Sequence, residues 1–462
     1  MSKLLRTPSG SIPDEAFPCD SVGPRTPCAG GEHPLSEMAW VVVGQVGLAA
    51  GYVLGIKMLS IGLDVAEYGR FSLGLTLINF VQLTLFTPLA QGLMRYWSVC
   101  RTQGTLAAFH HITAGWMAKL VGVPLLAGGA LGIGCLIFGK AQWIGVLGAS
   151  LVAGAFGGCV NSDIAILNAA RDRKAAAGLN IASACLKPLA GFLFAVSLAR
   201  NAELALLGYG AISLIMVVVS RKRVLQGQSG STSRTDPDSD HLELSRRMLR
   251  YSWPFLPIGI FSWVQQSADR WALQAVMGAE AVGRFAVVSQ LAFYPMVFAA
   301  GVLQLFFMPI AYVRAETHPE KAQAAWRVLY QMTGIYLSFA VLIVGVFLGF
   351  SEPLVLMISR SAYIGYHDYL ADIAIGWGLY YLGVVLSGFG FVLKESRTYL
   401  PAGFGSAVAA AAGCTLGAWA YGPQGVVGGL WLSGGLYALW NGWIAYRLIH
   451  IPRRWVPPAE GA

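Results

Sequence analysis

The chain has 462 residues, of which 56% are hydrophobic and 12% charged, with a formal net charge of +9. An ordinary soluble domain carries roughly a quarter charged residues, so this sequence cannot clothe a core with a water-facing surface, and the bilayer is its solvent. The excess positive charge falls in loops, where it orients a membrane protein and gives no ground for nucleic-acid binding.

Residues 1–37 contain six prolines and no apolar run of signal-peptide length, and they read as a disordered cytoplasmic tail. A bilayer core of about 30 Å takes about 20 helical residues. On that ruler six spans come first, at 39–61, 71–94, 113–138, 143–169, 176–198 and 203–219. A hydrophilic break at 221–250 opens with Arg221-Lys222-Arg223, passes through a Ser/Thr/Asp-rich middle and closes with Arg246, Arg247 and Arg250, as a cytoplasmic linker should. Six more spans follow at 253–277, 285–312, 326–350, 369–392, 399–420 and 425–448. The apolar piece 354–358 is too short to cross and reads as an interfacial lead-in to the tenth span. The expected organisation is a six-helix lobe over 38–220, the linker, a second six-helix lobe over 251–450 and a cytoplasmic tail over 451–462.

With both termini inside, 23 of the 32 Lys and Arg lie on the cytoplasmic side and five on external loops (Arg70, Lys140, Arg200, Arg284, Arg360), which sets the orientation. Ala66-Glu67-Tyr68-Gly69-Arg70-Phe71 recurs 214 residues later as Glu280-Ala281-Val282-Gly283-Arg284-Phe285, each copy opening the second helix of its half. The expected fold is therefore an all-α membrane protein of twelve transmembrane helices in two bundles, related by a parallel internal repeat that places substrate between them.

No Walker loop, nucleophile elbow or H-E-x-x-H motif is present, and the seven cysteines show no C-x-x-C spacing, so neither an enzyme nor a cofactor or metal site is expected. The informative residues are charges inside spans, each costing about 2.5–3.5 kcal/mol at a helix centre. Asp269 and Arg270, with Gln265, Gln266 and Ser262, give the seventh span a polar stripe that should face the central cavity, where Arg270 offers donors to a pyrophosphate. A structural ion pair between Asp269 and Arg270 is the alternative. Lys57 lies at a comparable depth in the first span and either joins Arg270 around an anion or snorkels to headgroups. Asp163 in the fourth span and Lys187 in the fifth are expected to neutralise one another, or to form a coupling site. His110 and His111 read as a solvated loop pair.

Three stretches resemble the multidrug/oligosaccharidyl-lipid/polysaccharide flippase superfamily, and within it the polysaccharide-export branch. The first runs from Leu59-Ser60-Ile61-Gly62 through Tyr68-Gly69-Arg70-Phe71 to Leu93-Met94-Arg95-Tyr96. The second runs from Tyr251-Ser252-Trp253-Pro254-Phe255-Leu256-Pro257 through Asp269-Arg270 and Val282-Gly283-Arg284-Phe285 to Pro309. The third is Tyr421-Gly422-Pro423-Gln424-Gly425-Val426-Val427-Gly428. The resemblance implies a multidrug-exporter-like fold and alternating access by two lobes in a bacterial inner membrane. The substrate it implies is an undecaprenyl-pyrophosphate-linked oligosaccharide, with membrane lipid and a polysaccharide polymerase or export machinery as partners.

Two departures bear on that expectation. Drug exporters of the superfamily commonly use a carboxylate in the first helix, and 39–61 has none; lipid II flippases resemble fourteen-span proteins, and twelve are counted here. A cation-coupled efflux antiporter remains the alternative, since Asp163 or Asp269 could couple an ion. A membrane-embedded polymerase or ligase would need catalytic residues in a large external loop, and 351–368 offers only Glu352, Arg360, His367 and Asp368.

Overall fold

Ten helices among the described residues are long and apolar enough to cross a bilayer, and two more, of more polar composition, complete twelve crossings. The structure is a computed structural model that describes residues 34–226, 238–317, 322–392 and 396–450, and its regular elements are all helical.

The first bundle opens with α1 (Pro34–Gly62). The second crossing joins α2 (Val65–Val81) through a π-helical turn (Gln82–Phe86) to α3 (Thr87–Gln103), and α4 (Leu106–Ile137), α5 (Ile144–Ala169), α6 (Arg173–Ser197) and α7 (Ala202–Gln226) follow. A surface helix α8 (Asp238–Ser252) leads to the second bundle, which begins with α9 (Phe255–Val276), α10 (Ala279–Thr317) and α11 (Ala322–Ile358). The tenth crossing is split into α12 (Leu370–Leu386) and α13 (Gly388–Val392), and α14 (Leu400–Tyr421) and α15 (Pro423–His450) close the bundle. α9 and α15 are the two polar crossings: α9 carries Gln265, Gln266, Asp269 and Arg270, and α15 is rich in glycine and tryptophan, which lower its hydropathy yet let it lie against α12 and α14.

Within the first bundle α1 packs on α6, and α5 and α6 on α7; within the second α15 packs on α12 and α14, and α9 on α14. The bundles meet where α2 runs against α9 and α10. Trp377, Tyr336, Tyr363, Phe71 and Phe285 are fully buried, whereas Leu126, Ile137, Val341 and Leu348 point outward with at least 70% of their surface exposed. Such a belt would be costly in water at about 25 cal/mol per Å², and in lipid it is the normal exterior.

The structure departs from the sequence reading in several places. α7 does not stop near residue 219 but runs on to Gln226, carrying Ser220 and Arg221 into the bundle. Most of the expected linker is helix, because α8 is amphipathic and packs Met248 inward against α3 and α4, with Trp116 Nε1 donating to Ser245 Oγ at 3.0 Å. Helix α11 breaks at Phe350 (φ −132°, ψ 24°) and continues to Ile358, so 354–358 is its last part and a 3₁₀ segment (Ser361–Tyr369) provides the lead-in. His110 is a buried helix residue edge-on to Phe109, not a solvated loop residue. α1 begins at Pro34, and the remainder of the expected tails (1–33 and 451–462), with linker residues 227–237, lies outside the described residues.

The end that the charge count assigns outside is sealed. Arg360 donates from Nε to the Ser60 carbonyl at 3.1 Å and from Nη2 to the Leu63 carbonyl at 2.7 Å, capping the end of α1 from the opposite bundle. Tyr363 adds a hydroxyl to Leu63 O at 3.4 Å and meets Tyr68 edge-on, while the Tyr68 hydroxyl donates to Gln290 Oε1 at 3.3 Å.

Candidate functional site: a cationic cavity between the bundles

Beneath that seal lies a cavity of about 450 Å³ lined by α1, α2, the π-helical turn, α5, α6 and α7 of the first bundle and by α9, α10 and α12 of the second. Its polar lining includes Lys187 and Arg270 with the amides Asn79, Gln82, Asn161, Asn180, Gln266 and Gln290, and among the described residues it contains no Asp or Glu. Tyr52, Tyr294 and Phe298 form an aromatic wall; Tyr52 of α1 stacks on Tyr294 of α10 with centroids 4.7 Å apart, bridging the two bundles.

Helical geometry explains which residues of the α9 stripe reach the cavity. At about 100° per residue, positions 266 and 270 share one face while 262, 265 and 269 share the adjacent one. Gln266 and Arg270 accordingly line the cavity. Gln265 turns into the second bundle, donating to Ser433 Oγ at 2.9 Å and accepting from Ser406 Oγ at 2.8 Å, so it ties α9 to α14 and α15. Asp269 is fully buried; it accepts from the Arg270 backbone N–H at 2.8 Å and from Ser289 Oγ of α10 at 3.1 Å. The Arg270 guanidinium forms no ion pair with it among the described residues, and its Nε has no hydrogen-bond partner there. Arg270 is therefore a buried cation whose charge is aimed at the cavity.

Lys57 is exposed on the outward side of α1, opposite the face carrying Gly51, Tyr52, Gly55 and Leu59, and does not line the cavity. The same arithmetic gives the reason, since residue 57 sits well over 100° round the helix from 52, 55 and 59. The second cation is Lys187. Asp163 does not neutralise it: the carboxylate bonds Arg221 at 3.3 Å and Ser220 Oγ at 2.8 Å, both supplied by the continuation of α7. Lys187 is left facing the cavity with Asn180 and Ser183 beneath it on α6 at spacings of three and four residues, and with Gln82 and Asn161, hydrogen-bonded to each other at 3.1 Å, across from it. The spacing of Asn180, Ser183 and Lys187 is readable in the sequence; the π-helical turn that brings Gln82 to Asn161 is not.

A second groove of about 490 Å³ lies on the other side of the aromatic wall, between α1 and the α10–α11 pair. Ile56, Tyr294 and Phe298 belong to both, and beyond them the groove is lined by apolar side chains such as Val53, Val302, Ile335 and Phe339. Of the residues in 351–368 that a polymerase or ligase would draw on, Arg360 caps α1, and His367 Nδ1 lies 3.0 Å from Asp368 Oδ1.

No family model matches the chain, and no curated protein does. The fold matches solved structures of the multidrug/oligosaccharidyl-lipid/polysaccharide superfamily. The lipid II flippase MurJ in an inward-closed conformation superposes with a TM-score of 0.64 at 11% identity, over 89% of this chain and 87% of that one. A mutant of the Vibrio cholerae MATE transporter VcmN superposes at 0.60 with 15% identity, over 89% and 95%. A superfamily transporter from Pyrococcus furiosus, described by the reverse polarity of its binding pocket, superposes at 0.56 with 14% identity, over 89% and 97%. The chain is a multi-pass α-helical membrane protein with the fold of these transporters.

Proposed function

We propose that the protein is a flippase that carries an undecaprenyl-pyrophosphate-linked oligosaccharide across the bacterial inner membrane, both termini cytoplasmic, for surface-polysaccharide synthesis. The observation that carries this reading is the cavity lining, which among the described residues has two cations, six amides, aromatic faces and no carboxylate, with an apolar groove across the Tyr52–Tyr294 wall. Cations suit a pyrophosphate, amides and ring faces suit sugar hydroxyls and sugar C–H edges, and the groove keeps a prenyl chain in lipid while its headgroup is inside. The alternative, efflux of organic cations in exchange for an ion, draws support from the MATE neighbours but sets a positively charged substrate against Lys187 and Arg270 with no lining acid to offset them. Reconstitution into liposomes separates the two. Movement of a labelled prenyl-pyrophosphate oligosaccharide without movement of an organic cation is the expected result, and the reverse pattern would replace this reading by the antiporter.

A further inference from the structure

A separate cavity of about 480 Å³ lies between α9, α12, α14 and α15 of the second bundle, with α13 and the end of α8 at its mouth, at the basic end of the molecule. It follows α9 from Phe255 to Gln265, a depth of about 15 Å at 1.5 Å per residue. Along its walls the Gln265 amide is held by Ser406 and Ser433, and Ser387 Oγ donates to the Val384 carbonyl at 2.7 Å, while the Tyr399 hydroxyl has no hydrogen-bond partner among the described residues. What remains is an aromatic shaft, with Tyr380 stacked on Tyr437 at 4.9 Å and Phe261 along the wall. At the mouth, Ile258 and Phe391 are both lining and exposed. Arg250 stands there exposed, Arg95 lies 5.0 Å over the Tyr251 ring, and no acidic residue among the described residues lines the site.

We propose that this shaft is a binding site for one acyl chain of an anionic membrane phospholipid, whose phosphate rests on Arg250 and Arg95. An apolar shaft opening at headgroup depth beside two guanidinium groups matches a hydrocarbon chain tipped by a phosphate. Prenyl phosphates share that chemistry. The phospholipid is the occupant assigned because the shaft shares no lining residue with the cavity between the bundles. A lipid seated there touches the junction of α8 with α9, the segment that joins the halves, and so sets its position.

The test uses delipidated full-length protein, phosphatidylglycerol with a photoreactive acyl chain, and peptide mapping after irradiation. Label should concentrate on α9 and α14 around Ile258, Phe261 and Gly403. Arg250→Ala should lower labelling about fivefold, the value of one basic residue at an anionic surface, and phosphatidylcholine with the same chain should label as weakly. Gly403→Phe fills the shaft, since a Cβ there meets only a Phe261 ring carbon at 3.7 Å; it should abolish labelling by either lipid while the protein keeps its helical content and elutes as a single species. Label spread around the apolar belt, labelling unaffected by Gly403→Phe in folded protein, or equal labelling by the two headgroups would overturn the site. Displacement by undecaprenyl phosphate at lower concentration than by phosphatidylglycerol would overturn the assignment to phospholipid.

Discussion

Gly69 and Gly283 touch backbone to backbone across the two bundles, each where the other's side chain would be. A Cβ on Gly69 would overlap the Ala279 carbonyl oxygen, and one on Gly283 would overlap the Val65 carbonyl oxygen. The two glycines occupy the same position in the repeated Gly-Arg-Phe segment, so the internal repeat is expressed as a symmetric contact at the sealed end. Each copy also stiffens its own helix start by a local ion pair, Arg70 with Glu67 at 2.7 Å and Arg284 with Glu280 at 2.6 Å.

Alanine at either glycine should therefore push the sealed end open. Forcing a methyl into a packed contact costs about 1–3 kcal/mol, and if the open state escapes that cost its population rises by about 5- to 150-fold. Spin labels at Asn201 and Ala362, one on each bundle near this end, should show a longer distance in Gly69→Ala and Gly283→Ala. Unchanged distributions in both variants would mean that the contact does not hold the seal.

Asp163 and Arg221 make a test of stability independent of transport. Breaking a buried pair costs about 3–5 kcal/mol because one charge is left without its partner. Arg221→Met strands a carboxylate that is fully buried, whereas Asp163→Ala strands an arginine whose side chain is 23% exposed and can still reach water. Thermal unfolding in detergent should fall further for Arg221→Met than for Asp163→Ala, and the double variant Asp163→Leu with Arg221→Met should recover much of the loss. Additive losses in the double variant would contradict the pairing.

Gln265 and Gln266 are neighbours with opposite duties. Gln265→Leu removes two buried hydrogen bonds worth about 1 kcal/mol each, so it should lower the unfolding temperature. Gln266→Leu faces open space and should leave that temperature nearly unchanged while weakening substrate binding. A matched loss of stability in both variants would show that the division of the α9 stripe is wrong.

That division marks where sequence reading runs out. Twelve crossings follow from run length and apolarity, and the polar face of α9 from its spacing. Lys57 and Lys187 are equally conspicuous as intramembrane lysines, but the rotation of each helix about its axis decides which one meets the cavity, and rotation is set by packing between helices far apart in sequence. The partner of Asp163 is hidden for a different reason. Arg221 belongs to a basic run that reads as the start of a linker, and only the continuation of α7 for two further turns shows it to be a bundle residue. The pairing of Gln82 with Asn161 depends on a π-helical turn that no local composition announces.

In the proposed flippase Lys187 and Arg270 receive the anionic headgroup of a lipid-linked saccharide, and Lys57 does not. The most direct measurement is the initial rate of prenyl-pyrophosphate oligosaccharide flipping in liposomes, with reconstituted amounts matched, for the native protein, Arg270→Ala, Lys187→Ala and Lys57→Ala. A charge-assisted hydrogen bond is worth about 1.5–3 kcal/mol, so each cavity variant should be slower by about 10- to 150-fold, while Lys57→Ala keeps the native rate. Native rates in both cavity variants, or a loss confined to Lys57→Ala, would contradict the account.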